Sequence, residues 1–85
     1  MQRWVKQICQ EKDPKVRLRR LAIIYKHAND IDTLVSVALL LSTFFSDQGK
    51  HKASKAMLKL ARLHAADDYN RLLWINVVAE INKNP

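Results

Sequence analysis

One thiol, three imidazoles and a concentration of cations are the side chains of this 85-residue sequence whose types could do chemistry. The thiol is Cys9, and the imidazoles are His27, His51 and His64. A metal site needs ligands at short, fixed spacing such as a CxxC pair, and these four residues are scattered. No Ser-His-Asp order, glycine-rich phosphate loop or pair of carboxylates on one face is present. Cys9 beside Ile8 reads as a small core residue rather than a nucleophile, and His51 and His64 read as helix-end residues. The expectation is a protein that is not an enzyme and that needs no metal, cofactor or small-molecule substrate.

The cations carry more information. Ten of the fifteen Lys and Arg residues fall within 14–29 and 50–66, and neither stretch contains an acid. Lys52, Lys55, Lys59 and Arg62 follow i, i+3, i+7, i+10 spacing, which places them on one stripe of a helix. Arg19, Arg20 and Lys26 form a looser counterpart, flanked by Lys15 and Arg17. Such stripes could contact phosphates, with an affinity that falls steeply in salt. They could equally be solvated faces charged for solubility. No acid stands i±4 from these cations within either helix body, which favours a role beyond solubility. Aromatic residues are almost absent among them, which disfavours base stacking.

The elements that would carry these side chains are helices. A single glycine and two prolines argue against a turn-rich β fold. The eight acids collect where segments change. Asp13-Pro14 predicts a capped start for a helix over 14–28, after a first helix over 2–11. Asp30 caps a helix over 31–46, and Gly49 supplies the left-handed residue past its end. A fourth helix covers 51–65, and Asp67 caps a fifth over 68–82, with fraying through Asn84-Pro85. The expected fold is all-α: one domain, residues 1–85, of about five antiparallel helices.

Helical periodicity predicts the buried faces. On helix 2 the arc is Leu18, Leu21, Ala22, Tyr25 and Ala28; on helix 4 it is Ala53, Ala56, Met57, Leu60 and Leu63. The two arcs superpose at an offset of 35. Helices 3 and 5 align at 36, pairing Val37 with Leu73, Leu41 with Val77 and Phe45 with Ile81. The tetrapeptides His27-Ala28-Asn29-Asp30 and His64-Ala65-Ala66-Asp67 match at 37, an offset that would turn one predicted arc outward, so the match is taken as coincidental. A period near 35 is the length of one helical hairpin in a stacked repeat.

The run from Leu34 to Leu63, with its apolar helix, Gly49-Lys50 turn, Ala53, Ala56, Leu60 and Ala61, resembles one unit of the tetratricopeptide or pentatricopeptide families. That resemblance implies a short α-solenoid in which helices 1, 3 and 5 are the first helices of successive units. It also implies that Asp32, Ser36 and Thr43, with Asn70, could be polar residues of a groove. A compact helical bundle is the alternative architecture.

Net charge is +7, which favours an acidic partner. A lone cysteine excludes an internal disulfide and fits a reducing compartment. The amino terminus, MQRWVKQICQ, lacks the apolar core of a signal peptide. The longest uncharged run, between Asp32 and Asp47, is shorter than the roughly 20 residues of a membrane span. A cytoplasmic protein is expected. Helix 3 is apolar round most of its circumference and should be central. Helix 5 has more apolar surface than one neighbour can cover: Leu73, Trp74, Val77 and Ile81 form a contact face unless helix 1 returns to pack there. The leading expectation is therefore a small adaptor or chaperone-like module that binds a protein partner or a second copy through that face. The alternative is a nucleic-acid-associated protein that holds phosphates through Arg19, Arg20, Lys52, Lys55, Lys59 and Arg62.

Overall fold

Burial follows from the middle of the chain outward. The computed structural model describes residues 3–83 and contains five α-helices: α1 (Arg3–Gln10), α2 (Pro14–His27), α3 (Ile31–Asp47), α4 (His51–Ala65) and α5 (Tyr69–Lys83). The expected first residue of helix 1, Gln2, and the fraying at Asn84-Pro85 lie outside the described residues. Thr33, Val35, Val37, Ala38, Leu41, Ser42 and Phe44 of α3 are all buried. This helix packs on α4 most extensively and also on α2 and α5, while α1 packs on α2. The radius of gyration is 12.1 Å, matching the roughly 12 Å of a globular domain of this length. An all-α five-helix fold is thus established.

Two apolar clusters make the core. One joins Ile8, Leu21, Val37 and Leu41, with Trp4, Ile24, Tyr25 and Met57 against it. The other joins Val35, Ala38, Leu58, Ala61, Ala65 and Ile75. This corrects the expected faces. On α4 the buried residues are Ser54, Leu58, Ala61 and Ala65, whereas Ala56 and Leu63 are exposed. The true face is turned from the predicted arc by roughly one residue step, about 100°. Small side chains, rather than the most apolar ones, let α4 lie close against α3. On α2, Ala22 is exposed and Ile24 takes its place.

The burial pattern follows no single offset. Leu21 and Leu58 are both buried, and α4 opens 37 residues after α2, at His51 against Pro14. Val37 shares its complete burial with Ile75, not with the exposed Leu73. The two helix ends differ: α2 stops at His27 with Ala28 extended, whereas α4 runs on to Ala65 and Ala66 takes φ +53°, so the tetrapeptide match at 37 is not a match of cap geometry.

Most of the boundaries are chemical. Asp13 accepts from the Lys15 amide at 3.0 Å with Pro14 beginning α2. Gly49 takes φ +74°, and behind it the Lys50 amide reaches Phe45 O at 2.9 Å and the Gly49 amide Ser46 O at 3.0 Å. That pair of bonds is a Schellman closure. The cap of α5 is Asp68, whose carboxylate accepts from the Arg71 amide at 3.0 Å. Asp67, the expected cap, is one residue too early and exposed.

Asp30 caps α3 by accepting from the Thr33 amide at 2.8 Å and the Thr33 hydroxyl at 2.9 Å. The Thr33 amide first, and then its hydroxyl, hold the Asp30 carboxyl below its ordinary pKa. A depressed carboxyl stabilises the fold fully above the unfolded value of about 4 and loses that contribution as pH falls through the lower folded value. Asn is a good cap with no charge to lose. Asp30→Asn should therefore flatten the fall of melting temperature between about pH 5 and about pH 2. Equal slopes in parent and variant, followed by circular dichroism, would remove Asp30 from the acid response.

Candidate functional site

Helical spacing brings Leu73, Trp74, Val77 and Ile81 onto one side of α5, within an arc of about 100°. The side opposite is occupied: Ile75 is fully buried, and Leu72, Val78 and Ala79 pack on the same core cluster. The outward set is exposed at 45%, 66%, 49% and 66% in chain order. Helix α1 does not cover it. Ile8 and Trp4 pack instead with Leu21, Val37 and Leu41.

Beside this face runs an open groove of about 670 Å³ between α1, α3 and α5. Its apolar walls are Val5, Val35, Leu39, Leu40, Trp74 and Val78. Asp32, Ser36 and Thr43 of α3 also line it. Asn70 is exposed but is not part of these walls.

Arg71 orders one end of the groove. Its guanidinium donates to Asp32 Oδ1 at 2.7 Å through Nε and pairs with Asp68 Oδ2 at 2.7 Å. The hydrogen bond to Asp32, and the charges of Asp32, Asp68 and Asp30 after it, push the Arg71 pKa up. This cross-helix link ties the first turn of α3 to the first turn of α5. Asp68 and Arg71 are three positions apart on one helical turn, a pairing the sequence reading did not single out. Nothing local showed that Asp32, 39 positions earlier, completes the pair.

The basic residues are divided differently from expectation. Lys52, Lys55, Lys59 and Arg62 are all exposed, and none has an ion pair among the described residues. On α2, Arg19 and Arg20 are exposed, but Arg20 lies 3.7 Å from Glu11. The Arg17 guanidinium donates to the Glu11 carbonyl at 3.1 Å through Nε. Charge compensation thus reaches α2 at Arg20, from the Glu11 carboxylate in the turn after α1, which a search within each helix misses.

The remaining reactive side chains do not converge. Cys9 is exposed, not in the core as expected, because Ile8 takes the inward position next to it. His64 is held by the Tyr25 hydroxyl at 2.6 Å from Nε2, with the rings edge to face. Among the described residues, no three His, Cys, Asp or Glu side chains are placed to hold a metal ion. Among the same residues no helix is long and apolar enough to cross a membrane. No protein family, characterised protein or solved structure matches this chain.

Proposed function

We propose that the chain is a cytoplasmic, non-enzymatic module that holds an apolar segment of a protein partner on the outward face of α5. The observation that carries this reading is the uninterrupted exposure of Leu73, Trp74, Val77 and Ile81 on one side of a helix whose other side is packed. Isolated exposed apolar residues are ordinary, but four on one stripe form a contact surface. Trp74 is the natural anchor, since buried tryptophans dominate the energetics of interfaces. The adjoining groove extends the surface towards α1. The ion pair of Arg20 with Glu11 supports a protein partner over phosphate binding by both basic stripes together.

Association should be measured on the full chain by sedimentation over a wide concentration range, and by crosslinked capture from a cytoplasmic extract. Trp74→Ala should weaken the complex at least about tenfold while leaving the melting temperature unchanged. Acrylamide should quench Trp74 in the free chain and lose access to it in the complex. A strict monomer that recovers no partner at any concentration would refute the proposal.

A further inference from the structure

A second concavity lies between α4 and α5, away from the apolar groove, and its chemistry is different. It measures about 470 Å³, within the range of small-molecule sites. Lys55 and Arg62 of α4 and Lys83 at the end of α5 line it, with His51 at the start of α4. No ion pair satisfies any of the three permanent cations among the described residues. Among the described residues only one carboxylate, Glu80, shares the lining, so these side chains give the cleft an excess of positive charge even with His51 neutral. Its floor is mixed. Leu58 and Ala79 give an apolar patch, and Ser54 and Asn82 give polar groups already oriented by bonds to Ser42.

Charge converging on a concave surface differs from charge spread over a helix face. Cations around one cleft act on the same ligand atoms, and partial exclusion of water strengthens each of them. The start of α4 adds to the field. Helices α2, α3 and α5 each have an aspartate accepting from a first-turn amide, whereas α4 has neither a side-chain cap nor an acid in its first turn. Its free amides leave the positive end of the helix dipole uncompensated next to His51.

We propose that this cleft binds a small organic anion carrying two or more phosphoryl groups. Lys55, Arg62 and Lys83 hold the phosphoryl oxygens, and the organic part lies over Leu58 and Ala79. The site uses only half of the basic stripe: Lys52 and Lys59 point elsewhere on α4 and are not among its walls. It stands independently of partner binding on the outward face of α5.

The test is titration of the full chain, labelled with ¹⁵N, with pyrophosphate and with adenosine diphosphate in low salt. Amide shifts should concentrate at 51–55 and 79–83, and the nucleotide should bind more tightly than pyrophosphate. The paired variant Lys55→Ala, Lys83→Ala should weaken binding by about tenfold or more. The variant Lys52→Ala, Lys59→Ala removes the same charge and should change binding less than about threefold. Glu80→Gln should tighten binding severalfold. All five positions are exposed, and unchanged melting temperatures would show that the fold is intact. Vesicles containing a phosphoinositide bisphosphate, compared with phosphatidylserine vesicles, distinguish a lipid headgroup from a free ligand. Binding in either form with dependence on Lys55 and Lys83 supports the site. Equal weakening by both paired variants, or no shift with any probe, overturns it.

Discussion

Replacing Ile75 with alanine is expected to destabilise the fold by about 2–5 kcal/mol, the usual range for emptying a core position. Ile75 has no exposed surface and is the one buried residue of α5, set in the central cluster with Val35, Ala38, Leu58, Ala61 and Ala65. Those neighbours are mostly small and lie on two other helices, so they cannot collapse into the space without moving α3 against α4. A domain of this size has roughly 4–13 kcal/mol of total stability. The loss should lower the melting temperature by on the order of 10–40 °C. Trp74→Ala, one position away, removes a larger side chain and should change stability by less than about 0.5 kcal/mol, because Trp74 is mostly outside. Urea midpoints of the two variants test the orientation of α5 directly. If Trp74→Ala proved the more damaging, α5 would be turned the other way and the outward face would lose its meaning.

The next largest effect should come from a hydroxyl. Ser42 is completely buried at the junction of three helices. Its Oγ shares a hydrogen bond of 2.9 Å with Ser54 Oγ on α4 and accepts from Asn82 Nδ2 on α5 at 3.1 Å. The Ser46 hydroxyl adds a bond of 3.2 Å to the Asn82 carbonyl. Ser42→Ala leaves the buried Ser54 hydroxyl without a partner and leaves Asn82 Nδ2 only a long contact of 3.4 Å to Thr43. An unsatisfied buried polar group costs about 1–3 kcal/mol. In a double-mutant cycle, Ser42→Ala with Ser54→Ala should cost less than the two single changes summed, by roughly 1 kcal/mol. Strict additivity would mean that the two hydroxyls are not coupled.

Helix number and most boundaries were readable from the chain because capping is local chemistry. Asp13-Pro14, Asp30 and Gly49 act on amides and carbonyls within five residues of themselves. Ala66 shows the limit of that reading: it closes α4 with φ +53°, a conformation alanine rarely adopts, and no residue type announces it. Helix faces were less legible. The hydrophobic arc of α4 is real in composition, yet the helix turns Ser54, Ala61 and Ala65 inward because close packing against α3 selects small volume. For the candidate site, Leu73, Trp74, Val77 and Ile81 were visible as a stripe on α5. Their exposure was not, since it depends on where α1 packs. The cleft between α4 and α5 was half visible, through Lys55 and Arg62. Lys83 and Glu80 join it only through tertiary contact, which no spacing along the chain encodes.

The bonds at the two ends of α5 have a consequence for its apolar side. Arg71 fastens the first turn to Asp32, and Asn82 fastens the last turn to Ser42 and Thr43. Rolling α5 by about 100° would bring Trp74 and Ile81 inward, a gain of about 1.5–3 kcal/mol for each side chain fully covered. The same roll would break both sets of directional bonds and lift Ile75 out of its cluster. Helix α5 is therefore locked in its rotational register. Among the described residues, the bonds that fix the helix hold its most apolar side towards solvent.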